Sequence, residues 1–325
     1  MNLVEKAVKF GGNLYPLVIP ETFGAMNPSI FIDDDGDILV NIRVVNYTLY
    51  HSENNQKFPS RWGPLSYLHP EQDQRLVTEN YVCKLDKDFA ISNYAKVEML
   101  ELHQPIWEFV GLEDARLVQW DGNYFLVGVR RDTDTFGTGR MEYSKIYINK
   151  DNWSVKEVHR VRIPAPAPDS SYCEKNWYPI NDKPYTFVKW TAPTEIVLAN
   201  PIEPEVEQLS HRESNVAFDK DQRGSSQLIC WGNMYICITH EVNLFQNYLK
   251  QKDAIYRHRL LVWDDQLNLI GASKPFSFLD FRIEFCVGAA VYEGDLLLSF
   301  SAQDNAAFIL RVPKPVVDDL ILEAL

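Results

Sequence analysis

The sequence predicts an all-β fold, a five-bladed β-propeller, and three observations carry that prediction. An apolar run, a tight turn and a second apolar run recur five times in the 325 residues. The turns are Asp-Gly, Asn-Asp, Gly-Asn and Glu-Gly pairs, most of them residues that accept the positive φ of a hairpin. A polar cluster stands before the first run of every pair. In a propeller the inner strands converge on an axis, so their starting ends line one mouth of it.

Taken in order, the first unit joins Ile30-Phe31-Ile32 to Ile38-Leu39-Val40 through Asp35-Gly36, after Asn27-Pro28-Ser29. The second joins Leu117-Val118 to Tyr124-Phe125-Leu126-Val127 through Asp121-Gly122, after Gly111-Leu112-Glu113-Asp114-Ala115-Arg116. The third joins Tyr178-Pro179-Ile180 to Tyr185-Thr186-Phe187-Val188 through Asn181-Asp182, after Glu174-Lys175-Asn176-Trp177. The fourth joins Leu228-Ile229-Cys230 to Tyr235-Ile236-Cys237-Ile238 through Gly232-Asn233, after Arg223-Gly224-Ser225-Ser226-Gln227. The fifth joins Ala289-Ala290-Val291 to Leu296-Leu297-Leu298 through Glu293-Gly294, after Ile283-Glu284-Phe285. Outer strands fill the gaps, for example Tyr81–Leu85, Ser144–Ile148 and Arg259–Asp264.

The spacing of the turns is near a blade length, with one long insertion at about residues 46–80. It carries Tyr47, Tyr50, His51, Arg61, Trp62, His69 and Arg75, and reads as a loop over the mouth. Pro164-Ala165-Pro166-Ala167-Pro168 cannot join a central sheet and reads as a crossover between blades. Only Val316 to Leu325 has helical character, in a tail (314–325) set off by Pro313 and Pro315. Nothing marks a linker, so residues 1–325 read as one propeller domain.

Hydrophobic residues make up 46% and aromatic residues 13%, enough for a packed core and too much for disorder. A net charge of −13 argues against a nucleic-acid partner. No apolar stretch approaches the roughly 18 residues of a membrane helix, and Met1–Lys6 lacks a leader pattern. Cys83, Cys173, Cys230, Cys237 and Cys286 show no metal-type pairing, so a cytoplasmic protein without structural zinc is expected. The sequence leaves a homo-oligomer open.

The richest cluster is Phe109 to Arg116, where Glu113 and Asp114 stand beside an arginine. Such a pair suits acid–base work, and equally suits an ion pair that pins one blade to the next. Glu284 and Asp304 flank the fifth hairpin and would complete an acidic, sugar-like pocket, with Trp107, Trp177, Trp190 and Tyr178 near enough to stack on a sugar face, although most of them taken singly read as core. A cationic set follows the second strands: Arg43, Arg130, Arg131, Lys189 and His240. Lys175 and Tyr256-Arg257-His258-Arg259 add to it. Cations recurring at equivalent hairpin ends suggest a bound anion such as phosphate, although each taken singly neutralises an acid. Nucleophile-elbow, phosphate-loop and zinc-protease motifs are missing.

These elements occur in an order that resembles the five-bladed propellers of glycoside hydrolase family 130 and the related glycosyltransferase family 108. Those families are β-mannoside phosphorylases, hydrolases and mannosyltransferases. The resemblance spans about residues 25 to 310, and its most specific part is Gly111-Leu112-Glu113-Asp114-Ala115-Arg116. It implies that Asp114 is the general acid, acting through a hydroxyl of the mannose. It implies sugar contacts from Glu113, Arg116 and Asp304 and phosphate contacts from Arg43, Lys189 and His240; the polar clusters themselves add Asn27, Lys175, Asn176 and Glu284 on the sugar side and Arg257 and His258 on the phosphate side. Ala115 stands where proline is usual and Lys189 where arginine is, which marks a divergent member. The implied partners are an oligosaccharide or a sugar phosphate. No metal or organic cofactor is called for, since inorganic phosphate or a sugar phosphate enters as substrate. Two rivals stay open: an inverting hydrolase using Glu284 or Glu241 as base, and a glycan- or protein-binding propeller without catalysis.

Overall fold

The computed structural model describes residues 1–22, 24–50, 66–68, 75–166, 171–246, 248 and 252–325. The chain opens with α1 (Leu3–Lys9) and β1 (Asn13–Leu17). Blade I follows as β2 (Ala25–Ile32), β3 (Ile38–Val45), β6 (Leu76–Leu85) and β7 (Ile91–Glu98), with a short hairpin, β4 (Thr48–Tyr50) and β5 (Ser66–Leu68), between its second and third strands. After β8 (Phe109–Val110), blade II is β9 (Leu112–Trp120), β10 (Asn123–Arg130), β11 (Arg140–Asn149) and β12 (Ser154–Arg162). Blade III is β13 (Tyr178–Pro179), β14 (Thr186–Trp190), β15 (Thr194–Ala199) and β16 (Val206–Arg212). In blade IV the inner strand is split into β17 (Arg223–Gly224) and β18 (Ile229–Trp231), both paired with β19 (Met234–Gln246), then β20 (Lys252–Trp263) and β21 (Leu269–Ala272). Blade V is β22 (Glu284–Tyr292), β23 (Asp295–Ala302) and β24 (Ala306–Val312), and α2 (Lys314–Ala324) ends the chain.

All five predicted hairpins are the inner strand pairs of the five blades. The ring closes because β1 pairs antiparallel with β24, from Asn13 opposite Arg311 to Leu17 opposite Ala307. The fourth strand of the last blade thus comes from the beginning of the chain. Apolar side chains fill the spaces between blades, such as Leu39, Val82, Leu117 and Leu126 between blades I and II. Full burial of each contributes about 1.5–3 kcal/mol.

Two expectations need correction. Helical character is not confined to the tail: α1 is a short helix held by a capping box, in which the Asn2 side chain takes the Glu5 N–H and Glu5 reaches back to the Asn2 N–H. Leu3, Val4 and Ala7 of α1 join Val316, Val317, Leu320 and Ile321 of α2 over blades IV and V. The insertion is shorter than 46–80, because residues 76–80 belong to β6 and pair with β3, Thr78 opposite Val45. His51, Arg61, Trp62 and His69 lie outside the described residues, as do Ala167 and Pro168 of the proline-rich crossover. The five cysteines are free. Among the described residues no helix is long and apolar enough to cross a membrane.

Candidate active site

Gly111 lies just before the acidic cluster with φ of +103°, and a Cβ there would meet the Thr78 carbonyl oxygen at 2.3 Å. Only glycine fits. Three residues later the β9–β10 register slips, with Arg116 opposite Val127 but Glu113 opposite Val129. Asp114 takes up the slack in the left-handed region, φ 51°. A matching slip in β2 puts Asn27 at φ 46°. Asn176 before blade III (φ 62°) and Asp304 after β23 (φ 50°) share the conformation. Asn and Asp tolerate this backbone better than other side chains, and such strain concentrates at functional sites.

These four residues line one cavity of about 150 Å³ at the mouth of the axis, together with Arg43, Glu113, Lys175 and His240. Tyr47, Phe109, Tyr256 and Phe285 supply its aromatic walls. The axis is not an open channel. Further down, buried Gln227 donates to Ser29, Ile30 and Leu117 oxygens and accepts the Ala289 N–H, tying blades I, II, IV and V together.

Asp114 Oδ1 accepts from Asn27 Nδ2 at 2.7 Å and from Arg43 Nη1 at 2.8 Å. Burial would raise this carboxyl, but the Arg43 and Arg116 guanidiniums, the Asn27 amide and the Lys175 ammonium outweigh it and hold it below the usual range. Asp114 is therefore ionised. Arg43 also donates to Thr78 Oγ1 (3.1 Å), Tyr47 Oη (2.7 Å) and Glu113 Oε2 (3.2 Å). The other Glu113 oxygen, Oε1, is buried with no partner among the described residues. Burial, opposed by Arg43 and joined by the Asp114 charge, pushes Asp304 up to about 6. The cavity thus holds two carboxyl groups set apart in acidity.

His240 Nδ1 lies 2.8 Å from Ser225 Oγ, and its ring stacks on Tyr256 and meets the edge of Phe285. Burial, with His258, Arg223, Lys175 and Arg116 nearby, holds it far below the usual histidine range. It faces the cavity as a neutral imidazole, not as the cation expected of it.

Five candidates do not line this cavity. Arg116 is fully buried and donates to the carbonyls of Ser225 (3.0 Å), Asp114 (2.8 Å) and Gly224 (3.2 Å), so it braces Asp114 from behind. Burial brings it down to about 10. Glu284 is sealed off, its carboxylate accepting the N–H groups of Phe278 (2.7 Å), Leu279 (2.7 Å) and Phe281 (3.0 Å). Lys189 is spent on Glu195 at 2.8 Å. His258 is wholly buried against Phe276 and Phe278 with neither ring nitrogen partnered among the described residues. Arg257 alternates to the other face of β20 and donates to the Tyr256 carbonyl. Lys189, Arg257 and His258, expected at the phosphate, and Arg116 and Glu284, expected at the sugar, thus lie outside the cavity that the other candidates line. Arg130 is likewise tied to Glu142 and Asp132.

No tryptophan platform lines the cavity: Trp107, Trp177 and Tyr178 are buried, as most of the set read singly, and the Arg223 guanidinium sits 4.4 Å from the centre of the half-buried Trp190 ring. The walls that replace it were only half visible. Phe109 and Phe285 stand inside the polar clusters, and Tyr256 shares a strand face with His258 by the two-residue period of β20.

No family model matches this sequence, and no curated protein matches it. Comparison with solved structures does find relatives in shape. A β-1,2-mannobiose phosphorylase from Listeria innocua superposes with a TM-score of 0.57 at 14% identity, over 96% of this chain and 100% of that one. A mannose phosphorylase from Leishmania mexicana, solved with a phosphate ion, gives 0.54 at 11% identity over 97% and 93%. A GDP-Man-dependent mannosyltransferase from the same organism gives 0.56 at 12% over 96% and 94%. The likeness is one of fold. It spans nearly the whole chain, and it coincides with the propeller expected from the hairpins.

Proposed function

We propose that this propeller is a carbohydrate-active enzyme that makes or breaks a β-mannosidic, or similar β-hexosidic, bond by inverting single displacement. Phosphate or a sugar phosphate is the second substrate. The observation that carries the reading is the ionised Asp114, fixed by Asn27 and Arg43 in a cavity that also presents Glu113 and Asp304. A cavity near 150 Å³ can take one six-membered ring. Glu113 lines the cavity beside Asp114, and the aromatic walls suit the C–H face of the ring.

In the bond-making direction Asp114 takes the proton of the acceptor hydroxyl, directly or through a sugar hydroxyl. The acceptor oxygen bonds to the anomeric carbon as the bond to phosphate breaks on the opposite face. In the reverse direction Asp114 returns the proton to the glycosidic oxygen as phosphate attacks. A carboxyl held below its usual range is ionised, the state in which it can accept a proton. The anion is drawn by Lys175, exposed at the mouth, and by Arg131 and Arg223 beside it. Arg131 donates to the Gly137 carbonyl and the Tyr172 hydroxyl, and Arg223 to the Lys175 carbonyl. None of the three has a carboxylate within ion-pair distance among the described residues. The hydrolase reading loses support, because Glu284 is sealed and Glu241 is bound to Arg259 (3.2 Å) and Gln222 (2.9 Å).

The test is product release from β-mannosides with and without inorganic phosphate, together with synthesis from α-mannose 1-phosphate and a mannose acceptor. Phosphate-dependent turnover that Asp114→Asn abolishes supports the proposal. Equal rates with and without phosphate overturn the phosphorylase form. Glycan binding that survives the substitution, with no turnover of any mannoside, overturns the catalytic reading.

A further inference from the structure

We infer that Ser225 is a positioning residue: its hydroxyl donates to Nδ1 of His240 and so fixes that ring as the neutral Nε2–H tautomer, which offers one hydrogen-bond donor to the cavity. The activity that this donor serves rests on the function proposed above. The tautomer does not.

The geometry comes from the split inner strand of blade IV. Arg223 pairs with His240 across β17 and β19, so Ser225, two residues on from Arg223, falls just past β17 under the imidazole. Its backbone is held from another blade, because the Ser225 carbonyl accepts Arg116 Nε at 3.0 Å. Its hydroxyl is fully buried, and its partner among the described residues is Nδ1 of His240 at 2.8 Å. A proton on Nδ1 would leave the hydroxyl hydrogen buried without an acceptor, which is the costlier arrangement. The hydroxyl therefore donates and Nδ1 accepts.

A ring that accepts at Nδ1 carries its proton at Nε2. That nitrogen has no partner among the described residues, yet it is not one of the sealed polar atoms, and His240 lines the cavity. Its cross-strand neighbour His258 shows the contrast, with both ring nitrogens sealed away. Tyr256 stacked on one face of His240 and Phe285 at its edge stop the ring from turning. Burial, and then the cations Arg223, Lys175 and Arg116, oppose a second proton. What reaches the ligand is a dipole of fixed direction, suited to a phosphate oxygen or a sugar hydroxyl alike.

The experiment is nitrogen NMR of histidine-labelled protein, with the His240 signals assigned by their loss in His240→Asn. Wild type is expected to show Nε2 protonated and Nδ1 bare across about pH 6 to 8. Ser225→Ala should mix the two tautomers, and Ser225→Thr should restore the single one. An imidazolium or an Nδ1–H tautomer in wild type overturns the inference, and that measurement needs no variant to fold. So does an unchanged tautomer in Ser225→Ala. In the transfer assay Ser225→Ala should raise KM for the phosphate-bearing substrate about tenfold with a smaller effect on kcat, and Ser225→Thr should recover it. The expected tautomer with no turnover in any assay supports the inference and counts against the proposed reaction instead.

Discussion

At the turn end of the propeller, Asp33, Asp35 and Asp37 meet the Lys150 ammonium at 2.8, 2.7 and 2.9 Å, and Lys84 sits on Asp37. Asp33 also accepts the Tyr124 hydroxyl and the N–H groups of Asp35 and Asp37. At the mouth end of the same blade, Arg43 meets Asp114 and Glu113, but one Glu113 oxygen is left unpartnered and no ion pair reaches Asp304 among the described residues. Both ends bring aspartates and a base together across blades I and II. The first closes on itself and pins a hairpin to its neighbour. The second is left incomplete around a cavity, which is what a ligand site requires.

The sharpest way to break this comparison is Asp114→Asn. Asparagine accepts the left-handed backbone, so folding should survive while turnover falls about 10²–10⁴-fold. Steady-state kinetics beside a thermal melt checks it, and a drop of less than threefold would remove Asp114 from the chemistry. Next comes Arg116→Met, which strands the carbonyls of Ser225, Asp114 and Gly224 and should cost about 3 kcal/mol or more in denaturant unfolding. Because the Arg116 charge helps keep Asp114 ionised, any surviving activity should show its acid limb at higher pH.

A pH effect follows in size. Burial, aided by Arg257, holds folded His258 down at about 3, against an ordinary value near 6.5. The unfolded chain therefore takes up a proton that the folded chain refuses as pH falls from about 6.5 towards 3. Stability should drop over that window by up to roughly 1.4 kcal/mol per pH unit for this residue. His258→Phe should flatten the slope in unfolding titrations, and an unchanged slope would show that the ring is protonated in the fold. The smallest effect belongs to the turn end. Lys150→Met should lower stability by roughly 1 kcal/mol and leave turnover within twofold. A large loss of activity would mean that the two ends are coupled.

The residues that turned out to line the cavity were the most legible in the sequence. Asn27, Asp114, Asn176 and Asp304 are all Asn or Asp at the edge of an apolar run, and all four adopt the backbone those side chains tolerate. The cations were the least legible. Arg43, Lys189 and Arg130 look alike at the ends of second strands. Lys189 and Arg130 find Glu195 and Glu142 close in sequence, whereas the partner of Arg43 is 71 residues away on another blade. Glu284 misled for a related reason: nothing in its neighbours announces that three backbone N–H groups will surround it.

By itself the sequence determined the repeat, the turns and the polar clusters that meet at one mouth, because hairpin chemistry and apolar alternation act over a few residues. Only the tertiary structure decided which charges stay open to a ligand. Ion pairing and burial depend on which side chains of distant blades arrive at the axis, and no local pattern records that.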